Sequence, residues 1–456
     1  MQQAILALAL VVCLPGAMLA QAASPQGLDV RIQEIIQSVS AERIERDIRT
    51  LVGFGTRHTL SDTLSSTRGI GAARRWIKSE FEAISAACGG CLEVLYLSEV
   101  FPAGSRRLRP GQETNIVNVI AIQRGTSDPN RMVIMSGDID SRISSGMNST
   151  DSAPGANDNA SGLAGTLEAA RVLSRLQFPG TIVYAALSGE EQGLYGGGTV
   201  GRHAQAQGWN VVGVLNNDMI GNIEGLNGVI DNTTARVFSD GTPPTETDQE
   251  RRRRRFTGGE VDGVSRQLAR YVDRIADRHF PTLDVMMIYR LDRFGRGGHH
   301  RPFADLGYPA VRIMETNENY TRQHQDIRTE DGIAYGDVIE GVDFAYAAKL
   351  TALNAATLAS LAWAPAPPRN VTIRGAVRPA AALSWEPPED RATLAGFRVY
   401  WRETDSPTWD YSRWVGMATE HTFQGLVIDN YFFGVAAVAR DGNESVVVFP
   451  TPGGRR

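Results

Sequence analysis

Cysteine is scarce, with only Cys13, Cys88 and Cys91 among 456 residues. This excludes a small fold stapled by disulfides, and the lack of a second Cys-x-x-Cys pair excludes a four-thiolate zinc site. Charge of one sign is also in short supply: 46 Lys plus Arg against 51 Asp plus Glu leave a net charge of −5. So small an imbalance argues against nucleic acid or an anionic membrane as the main partner. Beyond the amino terminus no stretch is apolar enough to span a bilayer. No Gly-x-Ser-x-Gly elbow for a serine nucleophile occurs, and no internal repeat is evident.

What remains is the composition of a soluble globular chain. With 42% hydrophobic and 21% charged residues, it can build a sizeable core, which excludes wholesale disorder. The length is about three times the roughly 150-residue prior for one domain, so one very large or two to three smaller domains are expected. An apolar run over residues 4–19, broken by Pro15 and Gly16, leads to Ala20-Gln21-Ala22. Its small-x-small ending reads as a signal peptide, residues 1–22, although the run has no preceding Lys or Arg. The mature chain is then secreted or periplasmic, and Cys88 and Cys91 are expected to form a local disulfide rather than a catalytic pair.

Residues 29–87 show helical periodicity through Ile32, Ile35, Ile36 and Val39, then Trp76, Phe81 and Ile84. From Ile116 the pattern becomes short buried strands, over 117–122, 132–135, 181–187 and 211–215, alternating with helices such as 160–176. That alternation predicts an α/β fold with a mostly parallel or mixed sheet sandwiched by helices, and ligands at the carboxyl ends of its strands. A proline-rich break at 364–368 closes this part, giving a first domain over residues 29–361. Beyond it, Val371, Leu383, Trp385, Phe397, Val399, Tyr431, Phe433 and Val435 fall in short alternating runs of a small all-β sandwich, residues 366–450. The run Arg251 to Arg255 reads as a solvated loop.

Acids stand where a hydrophobic core would not choose them. Apolar strands run into Asp138-Ile139-Asp140, into Glu190-Glu191 and into Asn217-Asp218, and Asp158 opens the helix near Ala160. Taken singly, Asp158 or Asn159 could be a helix N-cap, Asp140 an Asx-turn residue and Glu190 a solvated loop acid. Together they suggest a metal site, because buried carboxylates at several strand ends are costly unless paired or bound to a cation.

The ordered set Gly-Ala-Asn-Asp-Asn-Ala-Ser-Gly, Gly-Glu-Glu-Gln-Gly-Leu-Tyr-Gly, Asn-Asp-Met-Ile-Gly, His300-Arg301-Pro302-Phe303, Gly307-Tyr308-Pro309-Ala310 and Glu315 to His324 resembles the M28 family of zinc peptidases over residues 34–361. The resemblance implies Zn²⁺, one or two ions. It implies Asp158 as a bridging ligand, Glu191 and His324 completing one metal, and Asp138 and Asp218 completing the second. Glu190 falls on the general base, and Asp140 on an acid that orients a ligand. The last 90 or so residues resemble a fibronectin type III domain, which would dock to a polymer, a surface or the catalytic domain.

The chain departs from the family where Asp138 stands in place of the usual histidine, which hardens the second ligand set. His299 takes the place of an acid beside His300; either histidine could be a substrate contact or a replacement ligand, and a polar loop residue is the commoner reading. His58 matches a common motif with no chemical role of its own. The resulting expectation is an exported metal-dependent aminopeptidase acting on peptides, with Glu190 as base. Two alternatives are a single-zinc glutaminyl-peptide cyclotransferase and a non-catalytic binding ectodomain. Keeping a base beside a ligand argues against the last.

Overall fold

Apolar residues three and four apart make the opening of the chain helical in the computed structural model, which describes residues 29–453. The leader assigned to residues 1–22 lies outside the described residues. Helices α1 (Val30–Ser38) and α2 (Ala41–Gly53) bury Ile32, Ile35, Ile44, Ile48 and Leu51. The side chains of Asp29 and Ser40 cap them by accepting the N–H groups of Arg31 and Arg43. Helix α3 (Gly69–Ala87) ends at the Cys88–Cys91 disulfide.

Eight strands follow in one sheet: β1 (Glu93–Phe101), β2 (Thr114–Gln123), β3 (Asp128–Asp138), β4 (Gly180–Leu187), β5 (Asn210–Asn217), β6 (Thr234–Ser239), β7 (Asp284–Ile288) and β8 (Ala310–Glu315). Their order is β1-β2-β4-β3-β5-β8-β6-β7. The centre is parallel, β4 with β3, β3 with β5 and β5 with β8. Antiparallel pairing of β1 with β2, β2 with β4 and β6 with β8 makes the whole sheet mixed.

The remaining helices are α4 (Ala160–Leu173), the single turn α5 (Glu190–Gly193), α6 (Tyr195–Ala206), α7 (Asp248–Thr257), α8 (Val264–His279), α9 (His300–Asp305) and α10 (Phe344–Trp363). Alternation along β3 feeds two cores. Val133 and Met135 pack with α4, α8 and α10, while Met132 and Ile134 pack with Val200 of α6 and Phe303 of α9. Helices therefore cover both faces, and the carboxyl ends of β3, β4, β5 and β8 emerge at one edge.

The arginine run is not a loop. Arg251 to Arg255 lie on α7, which is exposed but started by a capping box between Thr247 and Glu250. Asp248 pairs with Arg251 and Glu246 with Arg254 along it. Local capping and charge pairing thus make a helix from residues whose composition alone suggests only solvation.

After α10, residues 369–452 form two sheets of four and three strands around Val371, Leu383, Trp385, Phe397, Val399, Phe433 and Val435. This sandwich docks on α8. Asp262 accepts from Arg270 at 2.6 Å and from Arg402 of the sandwich at 2.8 Å, all three buried. Trp409 donates to Gln267 and Tyr271 donates to the Glu444 carbonyl. Val446 joins the core of the large domain.

Removing one member of such a cluster leaves buried charge without its counterion. Asp262→Ala is expected to lower stability by about 3–5 kcal/mol, read by urea unfolding. A loss within the error of the measurement would contradict the docking described here.

Candidate metal centre

The parallel centre of the sheet delivers Asp138, Glu190, Asp218 and Glu315 to one edge. Two glycines let the elements close in. A Cβ on Gly137 would lie 2.5 Å from backbone atoms of Gly162 and Leu163, and one on Gly162 would lie 2.3 Å from the Asn217 carbonyl. Strand β3, the start of α4 and the end of β5 therefore touch through backbone. Asn159 caps α4 by accepting from Gly162, which leaves Asp158 free to face the site. Gly189, with φ of +76°, turns the chain so that Glu190 and Glu191 open α5.

Three candidate ligands converge. Donor atoms of Asp158, Glu191 and His324 all lie within 4.8 Å of one another. His324 Nε2 is 3.0 Å from Asp158 Oδ2 and 3.0 Å from Glu191 Oε1. Gln323 also donates to Asp158, at 3.0 Å. Burial raises the Asp158 carboxyl, but His324 and Gln323 outweigh it and hold the group below its ordinary range. Burial works against a charged His324, yet Glu191 and Asp158 raise it to about 9. Arg142 Nη2 lies 2.6 Å from His324 Nδ1, a cation beside the ring that favours its neutral form. Arg142 Nε also meets Glu191 Oε2 at 2.8 Å.

Asp138 and Asp218 lie outside that three-ligand set. Both Asp138 oxygens are engaged, Oδ1 by His299 Nδ1 at 2.6 Å and Oδ2 by Asn159 at 2.7 Å. Asp218 Oδ2 is 3.0 Å from Arg312, which also donates to the Asp218 carbonyl at 2.6 Å. Asp218 Oδ1 and His299 Nε2 are buried without a hydrogen-bond partner. Burial raises Asp218 well above its ordinary value, partly countered by Arg312 and reinforced by Asp158 and Asp138.

Glu190 stands among these groups. Burial pushes its carboxyl well up, and Asp218, Glu191, Asp138 and Asp158 add to the shift. Asp140 accepts the N–H groups of Glu190 at 3.2 Å and Glu191 at 3.0 Å, and the Thr59 hydroxyl. It orients α5 rather than facing the ligands' side chains, and burial with Glu191 and Asp138 beside it raises it to about 6. Carboxylates crowded this closely, with a buried oxygen and a ring nitrogen left unpartnered, are the donor chemistry of a divalent cation site. The Asp158, Glu191 and His324 set, two oxygens and one nitrogen, fits zinc with positions to spare for water or substrate.

Both histidines read from the sequence as loop residues are instead buried. His300 opens α9 and donates to the Leu291 carbonyl at 2.6 Å, with burial lowering it to about 4. His299 is spent on Asp138. One ring nitrogen of each finds a partner, Asp138 far off in sequence and Leu291 nearby, so a loop position did not imply exposure. His58 is buried as well, bonded to the Gly146 carbonyl and to Gln192, the neighbour of Glu191.

Sequence reasoning missed the residues that hold the loops. Arg57 is fully buried and donates to the carbonyls of Ile139, Leu51, Pro154 and Gly155. Asp337 accepts the N–H groups of Asn157 at 2.8 Å and Asp158 at 2.7 Å. Glu315 accepts from Asn157, Gly221 and Asn222, tying the Asp158 loop to the chain after Asp218. The Gly-Phe-Gly-Thr-Arg-His run signals Arg57 only as an unexplained charge, and no local signal singles out Asp337.

A second acidic group, Asp273, Asp277 and Asp284, lies away from this edge on α8 and β7. Burial, helped by Asp277 and Asp284 and opposed by Arg270 and Arg274, raises Asp273 to about 7.

The family described as Peptidase family M28 matches residues 118–338, and the fibronectin type III domain matches residues 366–451. A relative in Leptosphaeria maculans, named a probable zinc metalloprotease, is 44% identical over 423 residues, 92% of this chain and 97% of that protein. One of the same description in Pyricularia oryzae is 40% identical over 445 residues, 96% of this chain and 88% of the relative. Among solved structures, the LapA aminopeptidase of Legionella pneumophila aligns with a TM-score of 0.53 at 19% identity, covering 74% of this chain and 76% of its own. A leucine aminopeptidase precursor from Bacteroides thetaiotaomicron aligns with a TM-score of 0.50 at 15% identity, covering 70% and 97%. The two structural likenesses speak to the fold.

The raised Asp273 has a consequence for stability. A carboxyl that holds its proton more tightly folded than unfolded favours the fold below its unfolded value of 3.8, and this contribution is lost as pH rises through about 7. Asp273→Asn is expected to melt higher than the parent near pH 8 and to match it near pH 4. Equal shifts at both pH values in thermal melts would contradict the carboxylate repulsion.

Proposed function

Because the chain belongs to peptidase family M28, a family of zinc metallopeptidases, we propose that it is an aminopeptidase that hydrolyses the first peptide bond of its substrates. The observation that carries this reading is the meeting of Asp158, Glu191 and His324, from three separate stretches of chain, beside Glu190. Asp158, Glu191 and His324 would hold the zinc ion, with Asp218 Oδ1 and the Asp138 carboxylate alongside. A bound zinc ion supplies Lewis-acid activation of the scissile carbonyl and of water.

The chain's own residues do the rest. Glu190 takes a proton at its carboxylate from the attacking water and returns it to the leaving amine as the C–N bond breaks. Burial and acidic neighbours push Glu190 upward, the direction a base working near neutral pH needs. Asp140 holds Glu190 and Glu191 through their backbone N–H groups, and Arg142 pairs with Glu191. The same excess of carboxylates would attract the ammonium group of an unblocked peptide. The leader read over residues 1–22 supports action outside the cell.

A second reading, cyclisation of an N-terminal glutamine at a single ion, is favoured by one feature. Asp138 and Asp218 are engaged by His299 and Arg312 rather than joined to the three-ligand set. It predicts ammonia release from glutaminyl peptides with no free amino acid.

Glu190→Gln is expected to bind zinc like the parent and to lose about 10²- to 10⁴-fold in kcat. On the metal-loaded parent, an unblocked peptide should be cleaved and its N-acetylated form spared; equal cleavage of both would rule out the exopeptidase. Asp337→Ala should weaken zinc binding by about 10- to 100-fold, read by chelator competition. Unchanged affinity would deny Asp337 its hold on the Asp158 loop.

A further inference from the structure

The acidic floor of the site has a cationic border. From the end of β7 into the first turn of α9, Arg290, Arg293, Arg296 and Arg301 follow one another with Asp292 as the one acid among them. Asp292 is itself taken up by Arg312 at 3.1 Å, and Arg293 is matched by Glu318 at 2.9 Å. On the facing loop, Arg142 is matched by Glu191. Arg290, Arg296 and Arg301 have no carboxylate partner among the described residues. Arg290 lies over the ring of Phe294, and Arg301 donates to the Arg296 carbonyl.

Arg296 is the one of these three that reaches the centre. It is exposed, and its Nη2 lies 3.4 Å from Nδ1 of His324. A guanidinium presents a planar fork that matches a carboxylate through two parallel hydrogen bonds. With Arg142, Arg293 and Arg312 each matched by an acid, a guanidinium without one next to a candidate ligand is the position where an anion from outside is best received. The surroundings of Glu190 are acidic. Together, this acidic group and Arg296 are complementary to a molecule that carries both an ammonium group and a carboxylate.

We propose that Arg296 binds a substrate carboxylate, so that the preferred substrates are short peptides whose anionic group lies one or two residues beyond the scissile bond. This rests on the peptidase reading above. A residue of extended chain spans at most about 3.3–3.6 Å, and Arg296 contacts the same imidazole that would border the reacting bond, which limits the spacing. The carboxylate comes either from the peptide's own C-terminus or from an Asp or Glu side chain.

The test compares matched pairs on the zinc-loaded protein. Leu-Gly is set against Leu-Gly amide for the C-terminal source, and Leu-Glu amide against Leu-Gln amide for the side-chain source. In at least one pair the anionic member is expected to have the higher kcat/KM by about 10- to 100-fold, the usual worth of a charged hydrogen bond. The pair that shows it identifies the source. Arg296→Gln should bring that ratio to about one, and Arg296→Lys should keep part of it. Cleavage with equal rates within both pairs would overturn the proposal and leave the peptidase reading standing. Calorimetric titration of zinc-loaded Glu190→Gln with the same pairs reads the contrast without turnover. If no peptide is cleaved, the peptidase reading fails, and equal affinities in this titration then overturn the role of Arg296 as well.

Discussion

Mutual repulsion among carboxylates gathered at one sheet edge is the constraint around which the molecule is arranged. Asp138, Asp158, Glu190, Glu191 and Asp218 raise one another's energy when ionised, and burial removes the water that would screen them. A hydrophobic core gains nothing from such a group. Each acid therefore has an assigned counterpart: His324 for Asp158 and Glu191, Arg142 for Glu191, His299 for Asp138 and Arg312 for Asp218. Glu190 is the exception, facing four acids with no cation assigned to it.

Holding such a cluster takes more than ion pairs, because Asp158 and Asp218 ride on loops and the other acids sit at the end of β3 or the start of α5. Loop carbonyls and N–H groups inside a protein must find partners, and here the partners are charged side chains fully withdrawn from water. Arg57 collects four carbonyls from α2 and from the two loops that carry Asp140 and Asp158. Asp337 and Glu315 do the converse with N–H groups. Hydrogen bonds to charged groups are about twice as strong as neutral ones, which suits them to fixing backbone at sub-ångström tolerance. The glycine contacts between β3 and α4 supply the remaining precision by letting backbone meet backbone.

Much of this was legible in the sequence, and the division has a physical basis. Period and length placed α4, β3, β4 and β5, and apolar strands running into acids marked the edge where Asp138, Glu190 and Asp218 meet. These are local signals, carried by neighbours in the chain. What escaped depends on partners far away in sequence. Arg57 reads as a surface charge until its four carbonyls are seen, and Asp337 reads as any loop aspartate. His299 reads as a loop residue because the acid that buries it lies at Asp138. The antiparallel insertion of β6 beside β8 likewise follows from no local pattern. The helix at Arg251 to Arg255 was hidden by composition, although its Thr247 and Glu250 capping box was present in the sequence.

The sandwich touches the site at one remove. Its loop carbonyl at Pro407 accepts from Arg270 of α8 at 2.6 Å and from the Tyr289 hydroxyl at 3.3 Å. Tyr289 is covered on one face by the Arg266 guanidinium, 3.5 Å from the ring centroid, so its position is fixed from both sides. The next residue is Arg290, where the arginine-bearing segment departs toward His324. A loop anchored by one end on a rigid neighbour samples fewer conformations than a free one, and the entropy lost in ordering it on a ligand falls accordingly. The C-terminal domain therefore sets the base from which the arginine-bearing segment departs. Its buried ion pair with Asp262 and its bond to Tyr289 belong to one path leading from the sandwich core to the edge of the metal centre.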